Sequence, residues 1–241
     1  QNPDFRLSRD WYDLNRQWRA AWVDKMLADL AHETAQPAFE GQVHPLQLAL
    51  DVQDAMGDGD WLVIDGGNTH FWSEIAVNIA GFQGKKLGGI LHPGTFSLLG
   101  VGVSFAVSAK NVDPNRNVVL ISGDGAFLSG GLSIEAAFQE NRPIVVVIDN
   151  NGGLDCISQQ QERLFASGTH YATDFRDIPF HAMFEGLGGH GELVTRREDI
   201  IPAVQRAMAS GKTACVNVKV KGVISPIVLA TTSKRDKASI E

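Results

Sequence analysis

Two polar loops with side chains suited to metal binding each follow an apolar run in the middle of the chain. Gly123-Asp124-Gly125 comes just after Val118–Ile121, and Asn150-Asn151 follows Ile144–Ile148, with 24 residues between the two loops. Because buried parallel strands end at the same edge of a sheet, a carboxylate and a carboxamide placed in this way can hold one cation. Oxygen ligands beside a phosphate group suit Mg²⁺, which seldom has an all-protein cage. The spacing therefore predicts a site for Mg²⁺ and a phosphate-bearing ligand.

The surroundings of Asp124 decide between this interpretation and two simpler ones. Taken alone, Asp124 is expected to cap the helix that follows, and an asparagine pair at a strand end is typical of a turn. However, the glycines let the backbone approach an anion closely, and a helix predicted to open near Gly130 would direct free N–H groups to the same place. The joint spacing and the matching contexts favour the metal and phosphate site.

Two further segments carry candidate functional residues to the same edge. Asp65-Gly66-Gly67-Asn68-Thr69 ends another apolar run, and residues 91–106 are rich in glycine and small side chains, with Leu99 among them. Leu99 is a candidate for contact with a ligand, and the alternative interpretation is that it packs in the core as part of a helix. His70 and His92 lie near the predicted site and are candidates for substrate protonation or for contact with a substrate carboxylate. The other five histidines are expected to be surface or structural residues.

From His44 onward the pattern alternates between strands and helices. Besides the two apolar runs above, strands are predicted at Trp61–Asp65, Glu192–Thr195 and Ala214–Val220. Helices are predicted at Pro45–Met56, Thr69–Ala80, Leu98–Lys110, Leu132–Glu140, Phe180–Leu187 and Asp199–Ser210. This alternation predicts right-handed crossovers and a doubly wound parallel sheet of the α/β class, with ligands at the carboxyl ends of the strands.

Residues 9–30 predict an amphipathic helix with an aromatic stripe. Apolar side chains recur there at spacings of three and four, namely Trp11, Leu14, Trp18, Trp22, Met26 and Leu30. Because three tryptophans on one stripe need a partner surface, we interpret the helix as a docking face. The predicted organisation is a helix and linker over residues 1–43, a ligand-binding domain over 44–222 and a tail over 223–241.

The two polar loops and their spacing resemble the signature of thiamine diphosphate (ThDP) enzymes. The loop at 65–69 and the segment at 91–106 also resemble stretches of that family that contact the cofactor. The resemblance runs from about Asp10 to the C terminus and implies the diphosphate-binding (PP) domain with a preceding linker. The nearest patterns are those of the acetolactate synthases and of the 2-hydroxyacyl-CoA lyases and oxalyl-CoA decarboxylases.

The resemblance implies a role for each residue of the site. Mg²⁺ would be bound by Asp124, Asn151 and the Gly153 carbonyl. The residues around the cofactor phosphates would be Gly67, Asn68, Thr69, Gly123, Gly125, Ala126 and Asn151. Leu99 would hold the bent cofactor in shape, and the Ser97 carbonyl would receive the 4′-amino group.

The resemblance also implies that half of the active site is missing. In these families a pyrimidine-binding (PYR) domain supplies a glutamate that activates ThDP, and no such domain fits upstream of residue 44. The chain is therefore expected to be a subunit of a split enzyme or a fragment of a longer precursor, and the sequence favours a natural small subunit. Its expected partner is a PYR-domain-bearing large subunit in a hetero-oligomer, a heterotetramer or larger. The tail segment Val223–Leu229 is expected to fold over the site.

The expected function is that of a Mg²⁺- and ThDP-binding subunit of a C–C lyase or carboligase. Its substrate would be a 2-hydroxyacyl-CoA or a 2-oxo acid, which means a small molecule or a CoA thioester. The alternatives are a subunit of a 2-oxo acid or oxalyl-CoA decarboxylase, a ThDP oxidoreductase subunit whose redox groups lie on a partner, and a non-catalytic ThDP-binding assembly module.

Composition and missing motifs exclude several other classes. A net charge of −7 without a basic run argues against nucleic-acid binding. No apolar run is long enough to span a membrane, and two cysteines are too few for a disulfide framework or a zinc site of cysteines. A P-loop motif is absent, and Gly100-Val101-Gly102 lacks the third glycine of a dinucleotide-binding motif. We therefore expect a cytoplasmic protein that binds neither nucleic acid nor membranes.

Overall fold

The computed structural model describes residues 9–165 and 168–232, so residues 1–8 of the predicted N-terminal segment and residues 233–241 of the predicted tail lie outside it. The helices are α1 (Arg9–Thr34), α2 (Pro45–Ala55), α3 (Asn68–Phe82), α4 (Gly102–Val112), α5 (Asp124–Gly130), α6 (Glu135–Gln139), α7 (Asp155–Leu164), α8 (Phe180–Gly186), α9 (Ile200–Ala209) and α10 (Pro226–Thr232). The strands are β1 (Trp61–Asp65), β2 (Gly89–Leu91), β3 (Val118–Gly123), β4 (Val145–Asn150), β5 (His190–Val194) and β6 (Ala214–Lys219). Within this part of the chain, no helix has the length and apolar character needed to cross a bilayer.

The six strands pair in parallel in the order β2-β1-β3-β4-β6-β5. Chain order reverses at β1, because β2 lies on one side of it and β3 on the other. Such a switch point opens a crevice at the carboxyl ends of the strands, where doubly wound folds bind ligands. Asp65 at the end of β1 pairs with Ser122, and Gly123 pairs with Asp149, so the ends of β1, β3 and β4 lie side by side. The α/β class and the doubly wound parallel sheet are confirmed.

Both faces of the sheet are buried, which explains the unbroken apolar runs of the central strands. Along β3, Val119 and Ile121 belong to the hydrophobic core that includes α2, α3 and α9. Their neighbours Val118 and Leu120 belong to the core on the opposite face, beneath α4 and α8. The alternation follows from the two-residue period of a strand, and it fixes which residues reach each helical layer.

Two predicted helices differ from the observed ones, and three observed elements were not predicted. The helix predicted at Leu98–Lys110 begins only at Gly102, so Leu99 lies in the loop before α4 and not in helix core. The helix predicted to open near Gly130 was placed too late, because α5 begins at Asp124 directly after β3. Helices α7 and α10 and the short strand β2 were not predicted.

The N-terminal helix is longer than predicted, and the segment after it is not a free linker. Helix α1 continues to Thr34, and both Phe39 and Val43 are buried in the segment that follows. Val43 also forms a bridge with Val220 beside the end of β6. The tryptophans of the stripe remain open to solvent, and Trp18 is 61% exposed. The role of α1 as a docking face stays a prediction.

His44 begins α2 from a fully buried position, with 0% of its surface exposed. Its Nδ1 accepts the Leu46 N–H at 3.0 Å, which caps the helix. The rings of Phe39 and Trp72 flank it, and its Nε2 lies 3.5 Å from a Glu33 carboxylate oxygen. Burial lowers the pKa of His44 from its ordinary value of 6.5 to about 4.

Acidification is therefore expected to destabilise the fold through His44. Between pH 6.5 and 4 the unfolded chain binds a proton that folded His44 does not, so stability falls as the pH drops through this window. By pH 5 the loss is about 2 kcal/mol. Urea unfolding at pH 7.5 and pH 5 measures it, with His44→Asn as the control because asparagine keeps a capping oxygen but does not titrate. Equal pH dependence of the two proteins would contradict this assignment.

Candidate functional site

The segments that follow β1, β3 and β4, including the first turns of α3, α5 and α7, enclose a pocket of about 130 Å³ together with the loop before α4. Ten predicted cofactor and metal residues line it, namely Gly67, Asn68, Thr69, Leu99, Gly123, Asp124, Gly125, Ala126, Asn151 and Gly153. Gly66 and the four consecutive residues 154–157 complete the wall. Among the residues to which the resemblance assigns a role, Ser97 is the one that does not line this pocket. The structure thus brings together residues that are up to 86 positions apart in the chain.

Asp124 links the two polar loops that the sequence singled out. It is 2% exposed, and its Oδ2 accepts the N–H groups of Gly152 at 2.9 Å and Gly153 at 3.0 Å. Its Oδ1 accepts the N–H of the adjacent Gly125 at 2.7 Å, whereas the cap position of α5 is Gly123, so Asp124 does not cap the helix as the simpler interpretation expected. Burial raises the pKa of Asp124 to about 6, because the desolvation of the charge outweighs these hydrogen bonds. A cation beside this carboxylate would stabilise its charged form.

Hydrogen bonds and close packing fix the 151–153 loop beside Asp124. Asn151 Oδ1 accepts the Gly153 N–H at 3.3 Å. A Cβ at Gly153 would lie 2.4 Å from the Thr173 carbonyl oxygen, so only glycine fits there. A Cβ at Gly125 would lie 2.5 Å from Leu154 Cδ2, a side-chain atom that can move, so Gly125 is less restricted than Gly153. The loop therefore lies against the Asp124 carboxylate, and Asp124, Asn151 and Gly153 line the same pocket.

The opposite wall of the pocket is the start of α3. The residue before this helix, Gly67, has no side chain that could cap it, and Asn68 and Thr69 open its first turn. Uncapped N–H groups at a helix start favour anions. Asn68 is held from two sides, since its Nδ2 donates to Asp155 at 3.0 Å and its Oδ1 accepts the Ser225 N–H at 2.9 Å.

The sequence interpretation missed two acidic residues at this site, Asp149 and Asp155. Thr69 Oγ1 donates to Asp149 at 2.8 Å, and the other oxygen of this buried carboxyl group has no hydrogen-bond partner. Burial raises the pKa of Asp149 to about 7. Burial also raises the pKa of Asp155. Their positions beside Asn150 and just after Gly153 were the available signal, because both flank loops already assigned to the site.

Leu99 reaches the pocket because a buried carboxylate holds its loop. Asp65 accepts the N–H of Gly100 at 3.0 Å and that of Gly102 at 2.7 Å. Burial raises the pKa of Asp65, although these hydrogen bonds act to lower it. Ser97 has a left-handed backbone with φ of 48° and an exposed side chain, so it begins the turn that carries Leu99 inward.

The predicted tail lies against the first turns of α3. Ser225 is buried and contacts Asn68 as described above, and Trp72 Nε1 donates to the Val223 carbonyl at 2.8 Å. Residues 226–232 then form α10, within the segment for which the sequence predicted a tail without assigning it a helix. The two candidate histidines, His70 and His92, do not line the pocket. The centroids of their rings lie 5.0 Å from each other.

The family profile described as "Thiamine pyrophosphate enzyme, C-terminal TPP binding domain" matches residues 65–218, which is more than half of the chain. The chain belongs to the thiamine pyrophosphate enzyme family. Thiamine pyrophosphate is another name for ThDP, so the family predicted from the two polar loops is confirmed. The matched range contains every loop of the pocket described above.

Relatives within the family come from the groups that the sequence resembles. A "Probable acetolactate synthase" of Mycobacterium bovis is 34% identical over 182 residues, covering 73% of this chain and 31% of the relative. The "2-hydroxyacyl-CoA lyase 2" of Bos taurus is 27% identical over 216 residues, covering 87% of this chain and 32% of the relative. Thus the chain spans about a third of the length of these curated relatives.

A solved structure of this thiamine pyrophosphate enzyme family shares the architecture. The thiamine diphosphate-dependent 4-hydroxybenzoylformate decarboxylase of Rhodococcus jostii has a TM-score of 0.62 and 25% sequence identity. The match covers 77% of this chain and 33% of that one. The fold agrees over most of the chain, and the larger part of the decarboxylase has no counterpart here.

Proposed function

We propose that this chain is the Mg²⁺- and ThDP-binding subunit of a split C–C lyase or carboligase. Its substrate would be a 2-hydroxyacyl-CoA or a 2-oxo acid, as the names of the lyase and acetolactate synthase relatives suggest. The observation that carries the proposal is the convergence of Asp124, Asn151 and Gly153 opposite the uncapped start of α3. A cation and an anion are both favoured in that one pocket.

The donor set fits Mg²⁺ better than a softer metal. Asp124, Asn151 and the Gly153 carbonyl would offer oxygen ligands, which Mg²⁺ prefers. Near them, Asp149 has a buried oxygen without a partner, and burial raises the pKa of Asp124. Buried carboxyl groups in that condition are stabilised by a cation. Cys156 also lines the pocket, but burial raises the pKa of its thiol, so it is a poor metal ligand.

The chain's own residues would bind and orient the cofactor. Bound ThDP would supply a thiazolium that acts as an electron sink for C–C bond cleavage or formation. Asn68 and Thr69 would contact one side of the diphosphate, and Gly125 and Ala126 would offer backbone N–H groups to the other. Leu99, whose loop is fixed by Asp65, would pack against the cofactor and support its bent shape. These groups position the cofactor, and none of them replaces the activating glutamate.

The size of the pocket supports a half-site. Pockets that bury a drug-sized ligand measure about 300–1,000 Å³. The pocket here is about 130 Å³, so it suits the diphosphate end of ThDP and leaves the rest to another polypeptide surface. The relatives are about three times as long as the matched region, which agrees with a partner that carries the PYR domain.

The surface beside α1 is the docking site that we assign to this partner. A groove of about 750 Å³ runs between α1, α3 and α10, and Trp18, Trp22 and Met26 line one side of it. Ile75 and Ile227 line the other. An apolar, tryptophan-rich groove of this kind is typical of a stable protein interface. The two cysteines are free, which agrees with a cytoplasmic assembly.

A 2-oxo acid or oxalyl-CoA type decarboxylase is the second candidate. The structural similarity to the 4-hydroxybenzoylformate decarboxylase favours it. The two candidates share the cofactor and metal residues of this chain. They differ in the substrate surface, much of which would lie on the partner.

Calorimetric titration of the purified chain tests the proposal. With Mg²⁺ present, we expect ThDP to bind at least roughly ten times more tightly than thiamine, which lacks the diphosphate that Mg²⁺ and the α3 start would hold. EDTA should remove this preference. Equal binding of ThDP and thiamine would contradict the diphosphate site. The same sample should not consume pyruvate, and turnover by the isolated chain would contradict the need for a partner.

A further inference from the structure

A cluster of three side chains able to bind a metal lies outside the pocket, formed by His70, Glu74 and His92. Each offers one ligand atom, and these atoms all lie within 4.8 Å of one another. In the part of the chain that the structure describes, this is the one group of three or more histidine, cysteine or acidic residues with that property. We propose that the cluster binds one divalent transition metal ion, and that Zn²⁺ fits it best.

The fold brings the three residues together through α3 and β2. His70 and Glu74 are four residues apart on α3, so their side chains share one face, and Nε2 lies 2.9 Å from Oε1. His92 follows β2, which pairs with β1, and the loop after β1 leads directly into α3. The rings of His70 and His92 are inclined by 60° with centroids 5.0 Å apart. Two imidazoles and one carboxylate therefore approach one point from two separate elements.

The spacing and chemistry suit zinc. Tetrahedral Zn²⁺ with bonds of about 2.0–2.2 Å places its ligand atoms roughly 3.3–3.6 Å apart. The present ligand atoms bracket that range, from 2.9 Å to within 4.8 Å. Two histidines with one glutamate are a known zinc ligand set that leaves a fourth position open. His92 is exposed and Glu74 is partly exposed, so water can reach that position.

One existing hydrogen bond has to be exchanged for the metal bond. Gly94 N–H donates to His92 Nδ1 at 3.2 Å. A metal at Nδ1 would replace this bond directly, and a metal at Nε2 requires a proton on Nδ1 and breaks it. Because the bond is long and the side chain is exposed, coordination outweighs its loss. The His70–Glu74 pair is likewise separated by the ion, with both atoms becoming ligands.

This site is chemically distinct from the Asp124 pocket. Histidine nitrogens suit Zn²⁺ and related ions, whereas carboxylate and carbonyl oxygens suit Mg²⁺. A metal on His70 and His92 would also occupy the nitrogens that protonation of a substrate needs, so it replaces the role first considered for these histidines. Glu74 lines the groove beside α1 as well, which places the cluster next to the predicted partner interface.

His170 provides a matched control on the same chain. Its Nδ1 lies 2.8 Å from Asp174 and its Nε2 lies 2.8 Å from Glu162. It therefore has two carboxylates within reach, but they lie at different ring nitrogens, which point away from each other. One ion cannot contact all three groups without rearrangement. An exposed histidine with acidic neighbours should therefore not suffice for tight binding.

Competition with a chromogenic zinc chelator tests the proposal on the full chain without a histidine tag. We expect one Zn²⁺ per chain, not displaced by excess Mg²⁺, and at least tenfold weaker binding in both His92→Ala and Glu74→Gln. His170→Ala and Asp124→Asn should bind as the wild type does. Substituted Co²⁺ should show tetrahedral absorption that His92→Ala loses, with circular dichroism verifying the fold.

Three outcomes would overturn the site. If the wild type binds no more Zn²⁺ than His92→Ala does, the cluster is an ordinary helical ion pair. His170→Ala could weaken binding as much as His92→Ala does, which would show nonspecific surface binding. Loss of Zn²⁺ in Asp124→Asn alone would place the ion in the oxygen-lined pocket.

Discussion

The Asp124→Asn variant is expected to lose Mg²⁺-dependent ThDP binding by roughly 100-fold or more, which is the upper end of what changes around the ligands of a metal usually cost. The substitution keeps the size of the side chain and removes the buried charge that would balance the cation. It also places an amide where Oδ2 now accepts the N–H groups of Gly152 and Gly153. Both the metal ligand and the bridge between the two polar loops are therefore weakened.

The pH dependence of ThDP binding should change with the same substitution. Burial raises the pKa of Asp124 to about 6, so protons compete with Mg²⁺ for its carboxylate as the pH falls through 6. Wild-type affinity for ThDP with Mg²⁺ should weaken in that range, whereas Asp124→Asn should lack this component. The effect of acid on the stability of the metal-free fold is the opposite, a gain as the pH falls. Between pH 6 and the ordinary pKa of 3.8, folded Asp124 binds more protons than unfolded Asp124.

Calorimetric titrations of ThDP at pH 7.5 and pH 5.5 measure both effects. Asp58→Asn is the matched control, because Asp58 is an exposed aspartate in the turn before β1, at the other end of the sheet. If Asp124 only held the backbone N–H groups of Gly125, Gly152 and Gly153, the variant would lose about 1–3 kcal/mol of stability and keep its affinity for ThDP. That result would contradict its role as a metal ligand.

The strand ends could be predicted from the sequence because they depend on local patterns. Two apolar runs followed by small polar residues gave the ends of β3 and β4, and the switch in strand order then places them beside the end of β1. The ten predicted residues that line the pocket all come from these strand ends, from the loops and helix starts that follow them, or from the loop before α4. Hydrophobic periodicity and turn-forming residues can be recognised in a short stretch of sequence. The topology of doubly wound sheets then determines where the ligand pocket lies.

The start of α4 could not be predicted because it depends on a distant carboxylate. Residues 98–110 have the small and apolar side chains of a buried helix, and nothing in that window separates Leu99 from Val103. Asp65, 35 residues earlier, accepts the N–H groups of Gly100 and Gly102 and fixes the loop before the helix. Asp149 was missed for a similar reason, since its burial against Thr69 follows from strand pairing. Contacts across the sheet overrode local periodicity at both places.

The contact between Gly100 and Gly130 is the other feature that local sequence does not show. A Cβ at Gly130 would lie 1.9 Å from the Gly100 carbonyl oxygen. Both groups are backbone, so no side-chain rotation can relieve the clash. Gly100 directly follows Leu99, and its N–H is held by Asp65. The close approach therefore fixes the Leu99 loop against the end of α5.

Gly130→Ala is accordingly expected to destabilise the fold by about 1–3 kcal/mol, the usual cost of overpacking, or more. The melting temperature should fall by roughly 2–4 °C for each kcal/mol in a chain of this size. Gly81→Ala is the matched control, because a Cβ there meets nothing within 4 Å and alanine favours the helical backbone of α3. That variant should be as stable as the wild type or more so.

Binding of ThDP separates a local effect of Gly130→Ala from a general loss of stability. The clash can be relieved only by moving the Gly100 loop or the end of α5, and either movement shifts Leu99 or Ala126 in the pocket. At a temperature where the variant is still folded, its affinity for ThDP with Mg²⁺ should therefore be weaker than that of Gly81→Ala. Wild-type stability and affinity in Gly130→Ala would show that the two backbones do not touch. A lower melting temperature with unchanged affinity would show that they touch without positioning Leu99.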